Sequence, residues 1–305
     1  MKVFAYDLKP MSGFREPLRS STLWGHLAWA VRELKGEASL LGWIEEHRRA
    51  IEEGRHPPVR LSSAFPKDTL PRPMLPPVLV EDTVLRKRAK AVRWLPLDAF
   101  AQVAARGEAA LLELIENDRL PATATQGRSS RTRVAMDRRT GAAAAGRLFE
   151  EALYWYSETL TIYAKTSAPN EATQLAELLE FVGWMGYGGG SSAGNGWFKL
   201  MDGPREVVLP SQPDGAYALL LGPGLPPQSG DGWWRTETYW GRMGRGFATA
   251  AVPFKRPYLR LVEGSVVRKP RPRLLEVTPP VAPAEGVSVW ENLDPLMLPL
   301  EVRRE

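Results

Sequence analysis

The spacing of hydrophobic and polar positions predicts strands and helices in alternation over residues 1–205. Alternation in KVFAYDL, residues 2–8, is typical of a half-buried strand, and apolar positions recur at helical spacing from Leu23 onward. We expect Ser20 or Ser21 to cap this first helix. The further predicted elements are a helix at about 38–53, a strand at 59–66, a helix at 97–117, a strand at 131–137, a mobile connection at 138–147, one bent or two short strands at 152–165, a helix at 170–185 and a strand at 196–200.

The order of these elements is β-α-β-β-α-β with insertions, which is the order of a ferredoxin-like unit. From about residue 205 the chain changes to prolines, glycines and short β-rich runs such as AYALLLG and GVSVW, without helical periodicity. The sequence therefore predicts an α+β fold. Its first part is a decorated ferredoxin-like unit, and its second part is smaller and mostly β.

The composition is that of an ordinary globular protein. Of the 305 residues, 44% are apolar, 25% are charged and none is cysteine. Without cysteine, neither a disulfide nor a thiolate metal site can form. No apolar run approaches the ~18 residues that a membrane span needs, and the N-terminus has no signal-peptide core. We therefore expect a cytoplasmic protein without membrane contact.

Positive charge is concentrated in two segments. Residues 119–147 contain seven arginines and one acid, and residues 255–273 contain seven basic residues and one acid. Each segment carries +6, so the net charge of +5 leaves −7 for the rest of the chain. Clustered arginine is typical of a surface that binds a polyanion, because its planar fork suits phosphate and base stacking.

Six glycines lie between Gly186 and Gly196 in the stretch GYGGGSSAGNG. A dinucleotide fingerprint would need a strand before it and a helix after it, and here a helix precedes and a strand follows. No Gly-Lys-Ser/Thr of a phosphate-binding P-loop follows, and no histidine follows the serines as a nucleophile elbow would require. What remains is a glycine loop, residues 186–196, whose bare amides can donate to phosphate, with Ser191 and Ser192 as added donors.

Other candidate chemistry is sparse. The three histidines form no zinc motif, and we expect neither a metal nor a cofactor. The charged residues around His47 predict a solvated position, whereas His26 lies in the first turns of the first predicted helix. Four tryptophans lie in apolar stretches and are expected in the core: Trp24, Trp94, Trp155 and Trp197.

Three motifs in order carry a family resemblance. Ser-Ser-Thr-Leu-Trp-Gly at 20–25 is similar to an S-x-T-L-aromatic-G helix start, and Arg-x-x-x-Asp-Arg-x-Thr-Gly at 133–141 to a basic hairpin. Gly-x-Gly-Gly-x-Ser-Ser-x-Gly-x-Gly at 186–196 resembles the glycine-rich loop of the RAMP superfamily of CRISPR proteins. The combination most resembles the fourth-subunit family of Csm, or type III-A, effector complexes. The resemblance covers most of residues 1–205 and is looser beyond.

The resemblance implies a non-catalytic RNA-binding subunit made of two ferredoxin-like (RRM-like) domains, at 1–205 and 206–305. It would cap the 5′ tag of the guide RNA (crRNA), near the target RNA, between a large polymerase-like subunit and a repeated backbone RAMP subunit. The glycine loop would lie against the RNA backbone and the hairpin would reach into the guide. The expected RNA-binding residues are Ser20, Ser21, His26, Arg128, Arg131, Arg133, Arg138, Arg139, Gly186, Gly188, Gly189, Gly190, Ser191, Ser192, Gly194 and Gly196. Asp137 is expected to orient one of these arginines.

Two other functions remain open on the sequence. A metal-independent RNA-processing endonuclease of the same superfamily could use His26, although no partner acid or base is identifiable. An unrelated scaffold could bind an acidic protein through the basic segments.

Overall fold

The computed structural model describes residues 2–120, 126–166, 168–228 and 230–302. Its helices are α1 (Ser20–Lys35), α2 (Glu37–Glu52), α3 (Thr83–Ala91), α4 (Leu97–Arg106), α5 (Glu108–Glu116) and α6 (Pro169–Met185). Its strands are β1 (Lys2–Pro10), β2 (Val59–Pro66), β3 (Thr69–Pro71), β4 (Trp94–Pro96), β5 (Gln126–Met136), β6 (Ala143–Tyr156), β7 (Leu160–Thr166), β8 (Phe198–Leu200), β9 (Arg205–Val207), β10 (Tyr217–Leu220), β11 (Gly232–Trp233), β12 (Thr236–Tyr239), β13 (Tyr258–Leu261), β14 (Val266–Val267), β15 (Leu274–Glu276), β16 (Trp290–Asn292) and β17 (Met297–Leu300).

The first sheet confirms the predicted ferredoxin-like order. Its strands run β8-β1-β7-β2, all antiparallel, with β9 also pairing with β1. Alternation along β1 places Phe4, Tyr6 and Leu8 in one core cluster with the buried faces of α1 and α6. These two helices follow β1 and β7, as the βαβ order requires.

The opposite face of this sheet is also covered. Ala5 of β1 and Tyr163 of β7 belong to a second core cluster, which contains Phe100 of α4, Leu111 of α5 and Leu219 of β10. The inserted helices and the C-terminal part therefore pack on the sheet face that small ferredoxin-like RNA binders use for stacking bases. Neither face of the first sheet is therefore left bare.

The second sheet repeats the strand order of the first. It runs β11-β14-β10-β17, and every pairing is antiparallel. In the described residues after 205 no α-helix joins these strands, which matches the expected mostly β character. The molecule is thus an α+β protein with two ferredoxin-like units, the second smaller.

Three sequence predictions about elements are wrong. The helix expected at 97–117 is divided into α4 and α5 at Gly107, whose φ of 77° is left-handed and ends α4. The expected mobile connection ends at residue 142, because Ala143 begins strand β6 opposite Met136. Neither expected serine caps α1, since the N-cap is Arg19 without a side-chain cap.

His47 is another difference, because its side chain is fully buried rather than solvated. Helix α2 folds back on α1, so the imidazole packs against Trp43 and Trp24, with ring centroids 4.2 and 5.5 Å away. Its Nδ1 lies 2.8 Å from the Trp43 carbonyl oxygen, and burial lowers the pKa of His47 to about 4. Among the described residues, no helix is both long and apolar enough to cross a membrane.

Candidate nucleic-acid interface

The glycine loop connects α6 to β8, and five of its glycines have left-handed φ angles. These are Gly186, Gly188, Gly190, Gly194 and Gly196, with φ between 73° and 84°. At Gly196 a Cβ atom would lie 1.9 Å from the Tyr187 carbonyl oxygen, and at Gly186 it would lie 2.7 Å from the Asn195 carbonyl oxygen. Much of the glycine content is therefore required by the loop's own compact path.

Hydrogen bonds fix the loop to the segment before α1. The Tyr187 hydroxyl donates to the Pro17 carbonyl and accepts the Arg19 backbone N–H, both at 2.8 Å. The Gly196 N–H donates to the Gly13 carbonyl at 2.9 Å. Because Tyr187 is fully buried, these bonds are shielded from water and hold the loop in one position.

Four consecutive amides of the loop remain free for a ligand. The N–H groups of Gly189, Gly190, Ser191 and Ser192 donate to no acceptor in the described part of the chain, and all four residues are partly or fully exposed. Successive free amides make an anion-binding concavity. By contrast, the other four glycines of the loop donate their N–H groups within the protein. Gly186 donates to the Val182 carbonyl, Gly188 to His26 Nε2, Gly194 to the Ser191 carbonyl and Gly196 to the Gly13 carbonyl.

His26 contacts this loop through a hydrogen bond and a ring contact. Its Nε2 accepts the Gly188 N–H at 2.8 Å, and its ring lies 5.1 Å from the Tyr187 ring centroid. Burial, and to a lesser extent the positive charges of Lys255 and Arg245, lower the pKa of His26 to about 4. At neutral pH the imidazole is uncharged, and its accepting nitrogen is occupied by the loop.

We expect His26 to titrate with a midpoint of about 4 in a nuclear magnetic resonance titration of the folded protein. The unfolded histidine titrates near 6.5, so it binds a proton that the folded state excludes as pH falls from about 6.5 to 4. The free energy of unfolding should therefore decrease over this window. His26→Gln, which can still accept the Gly188 N–H, should reduce that pH dependence. A midpoint near 6.5 would contradict this account.

The basic hairpin, residues 126–156, consists of β5, β6 and their turn. Strand β5 pairs with β6 from Gln126 opposite Tyr156 to Met136 opposite Ala143. Four of its predicted RNA-binding arginines are exposed and form no ion pair with a described residue: Arg128, Arg131, Arg138 and Arg139. The Arg128 guanidinium lies over the Tyr154 ring, 5.8 Å from its centroid. Asp137 accepts the backbone N–H of Arg139 at 2.8 Å and so shapes the turn, whereas the sequence suggested that it orients a guanidinium.

Arg133 differs from these four because its Nε lies 2.6 Å from the Glu151 carboxylate. Glu151 is 4% exposed, and it also pairs with Arg15 and accepts a hydrogen bond from Asn195 Nδ2 at 3.2 Å. Asn195 belongs to the glycine loop, so this one carboxylate joins the hairpin base to the loop. Sequence reasoning missed Glu151. The available signal was the acidic pair Glu150–Glu151, because strand alternation turns these two side chains to opposite faces.

The structure buries both serines that were expected to contact RNA. Ser20 and Ser21 are 4% and 1% exposed, and the Ser21 hydroxyl lies 3.3 Å from Arg260 Nη1. The start of α1 is covered by the C-terminal part, where a Cβ on Gly222 would lie 2.1 Å from Ser20 Oγ. Burial leaves neither hydroxyl for RNA, so we remove both from the proposed interface.

Three of the seven basic residues in the second basic segment are neutralised within the protein. Lys255 pairs with Glu291 at 2.6 Å, Arg260 with Glu237 at 2.7 Å, and Arg268 with Asp231 at 3.4 Å. Arg260 is 2% exposed and lies 3.6 Å from the Tyr239 ring centroid. Arg256, Lys269, Arg271 and Arg273 form no ion pair with a described residue, so this segment carries free positive charge as the hairpin does. Within the described residues, no group of three or more His, Cys, Asp or Glu side chains could hold a metal ion.

The family model of the RAMP superfamily matches residues 12–199. A search of curated proteins found no match. Among solved structures, a chain of a Csm1–Csm4 cassette in complex with pppApA is similar with a TM-score of 0.62 and 19% identity, covering 99% of this chain and 100% of that one. A chain of a Csm3–Csm4 subcomplex of the type III-A CRISPR-Cas interference complex is similar with a TM-score of 0.59 and 16% identity, covering 98% and 99%. A type III-B Cmr-beta chain, from a structure bound to cognate target RNA, has a TM-score of 0.51 and 12% identity, covering 87% and 86%. At these identities the likeness concerns the fold.

Proposed function

The chain belongs to the RAMP superfamily, and from that premise we propose that it is a non-catalytic RNA-binding subunit of a type III CRISPR effector complex. In this role it caps the 5′ tag of the guide RNA. The observation that carries the proposal is the Glu151 contact set, which ties the hairpin with its four unpaired arginines to the glycine loop with its four free amides.

Two chemically different groups on this surface suit different parts of an RNA strand. The N–H groups of residues 189–192 make no hydrogen bond in the described part of the chain and so suit a phosphate, and the Arg15 side chain lies against Gly189 and Gly190. The exposed arginines of the hairpin suit successive phosphates or stacked bases farther along. Both groups lie on loops and projecting strands, whereas both faces of the first sheet are covered by other elements.

The contacts of His26 argue against the endonuclease alternative. A histidine that acts as a general acid or base needs a free nitrogen and a pKa near the working pH. Here Nε2 accepts the Gly188 N–H, and burial lowers the pKa to about 4. The proposal therefore gives His26 a positioning role under the glycine loop.

The proposal also places the chain between two protein neighbours. The similar structures include a Csm1–Csm4 cassette and a Csm3–Csm4 subcomplex. By analogy, this chain would contact a large polymerase-like subunit and a repeated backbone subunit, with the target RNA near the guide, in the cytoplasm. The division into domains at 1–205 and 206–305 belongs to the same proposal.

Charge reversal at the hairpin tip tests RNA binding. We expect Arg138→Glu with Arg139→Glu to weaken single-stranded RNA binding by at least about ten-fold and to reduce the salt dependence by ~0.7 log units per lost phosphate contact. The thermal melt should not change, since neither side chain pairs with a described residue. Affinity is measured by fluorescence anisotropy over a salt series, with the fourth-subunit role checked by retention of guide RNA in the assembled complex.

A matched control carries the same change of charge elsewhere. Arg86 and Lys87 are exposed on α3 and form no ion pair with a described residue, so Arg86→Glu with Lys87→Glu should leave RNA affinity nearly unchanged. Equal losses of RNA affinity in both double variants would show that the hairpin contributes only nonspecific charge. RNA binding unaffected by either would refute the proposed function, and metal-free cleavage by the wild type would favour the endonuclease.

A further inference from the structure

Four large apolar side chains are exposed beside the glycine loop and the hairpin base. Met11, Trp155, Trp184 and Trp197 have exposed fractions of 54%, 40%, 67% and 47%. The sequence placed Trp155 and Trp197 in the core, and the structure shows that this expectation is wrong. We call these four residues the tryptophan platform. A cluster of exposed aromatic rings of this kind marks a binding surface.

Short contacts make the platform one continuous surface. The Met11 N–H donates to the Trp197 carbonyl, and the Trp197 N–H donates to Ser12 Oγ, each at 2.8 Å. A Cβ on Gly13, the next residue, would lie 3.0 Å from Trp155 Cζ2, so the Trp155 indole lies directly against the backbone there. The segment 11–13 thus joins the hairpin base to the end of the glycine loop.

The polar edges of two platform indoles are already satisfied. Trp197 Nε1 donates to the Trp184 carbonyl and Trp155 Nε1 donates to Ser129 Oγ, both at 2.7 Å. These bonds orient the two rings and satisfy the one donor of each. An oriented ring face with no free donor suits stacking, because every nucleobase has a π-face.

A pair of lysines next to the platform indicates the charge of the ligand. Lys9 and Lys199 are directly opposite in the β1–β8 pairing, both are exposed, and neither forms an ion pair in the described ranges. Like charges opposite each other on paired strands are destabilising. Two residues along, the same strand alternation brings Met11 and Trp197 to this side. An anion beside the indoles would relieve the repulsion.

We propose that the tryptophan platform stacks unpaired nucleobases of the RNA strand whose phosphates lie on the glycine loop and on Lys9 and Lys199. The inference rests on the proposed function and adds base stacking to it. The platform adjoins the glycine loop, and the two lysines beside it are unpaired. Both features favour single-stranded nucleic acid over a protein partner, which would need acidic groups here. Trp197 directly follows Gly196, the last residue of the glycine loop, which places its indole at the end of that loop.

The test separates bases from backbone. Binding of labelled oligouridylate is compared with binding of an abasic ribose-phosphate strand of equal length, by fluorescence anisotropy with the full-length protein. We expect Trp197→Ala and Trp184→Ala each to weaken oligouridylate binding by about ten-fold and to leave abasic binding unchanged. Trp197→Phe, which keeps a ring, should retain most of the affinity. Lys9→Gln with Lys199→Gln should weaken both ligands equally.

Trp240→Ala is the matched control, since this indole is 56% exposed but lies at the end of β12, outside the platform. It should affect neither ligand. Equal losses on both ligands, or no loss in the platform variants, would overturn the inference while leaving phosphate binding by the loop and hairpin intact. Failure of the wild type to bind either ligand would instead refute the proposed function. Unchanged RNA affinity with lost subunit assembly would make the platform a protein-docking surface and also overturn the inference.

Discussion

Replacing Gly196 by alanine is expected to abolish RNA binding and to lower the free energy of unfolding by about 2–5 kcal/mol. The added Cβ would lie 1.9 Å from the Tyr187 carbonyl oxygen, so the backbone itself must move. The φ of 76° adds left-handed strain of about 1–2 kcal/mol, and overpacking against backbone adds about 1–3 kcal/mol. Since Tyr187 fixes the loop, its displacement would also misplace the free amides of residues 189–192. Denaturant unfolding and anisotropy titrations measure the two effects.

Gly194 provides the matched control for this result. Its φ of 82° is equally left-handed, but a Cβ there would meet no heavy atom within 4 Å. Gly194→Ala should therefore cost about 1–2 kcal/mol from backbone strain alone and should retain RNA binding. Equal behaviour of the two variants would show that the close approach of Gly196 and Tyr187 does not hold the loop. At Gly190 the two effects cannot be separated, because φ is 74° and a Cβ would lie 2.7 Å from Asn195 Nδ2.

The second large effect is expected at Glu151, which is the contact between hairpin and loop. Glu151→Ala removes a buried carboxylate that pairs with Arg15 and Arg133 and accepts from Asn195. Hydrogen bonds to charged groups contribute about 1.5–3 kcal/mol, and both arginines are partly exposed and can be rehydrated when freed. We therefore expect the free energy of unfolding to decrease by about 2 kcal/mol, with a several-fold loss of RNA affinity.

The neighbouring Glu150 is the control, because it is exposed on the opposite side of the same strand and accepts a hydrogen bond from Ser130 at 3.1 Å. Glu150→Ala should change the free energy of unfolding by less than about 0.5 kcal/mol. Glu151→Gln should fall between the two, since its amide can still accept from Asn195. A Glu151→Ala variant as stable and as tight for RNA as the wild type would show that hairpin and loop act independently. Because Arg133 pairs with Glu151, reversing the charge of Arg133 would perturb this contact as well as any RNA contact.

Local periodicity determined most of the first ferredoxin-like unit. The strands at 2–8 and 59–66 and the helix at 170–185 were predicted close to their observed bounds, because each buries one regularly spaced set of apolar residues. The glycine loop and the basic hairpin were also found from sequence, since unusual composition marks them. Gly107 was one exception within this part, because one left-handed residue divided an otherwise continuous apolar pattern.

Only the tertiary structure decided which side chains are covered. His47 lies among charged neighbours in sequence yet is buried, because α2 folds back on α1, whereas Trp155 and Trp197 lie in apolar stretches yet are exposed. The pairing of Arg133 with Glu151, 18 residues away along the chain, likewise depends on the register of β5 and β6. Sequence patterns determine which face of a helix or strand is apolar. What covers that face, and which charges meet across it, is set by distant segments whose approach the local pattern does not encode.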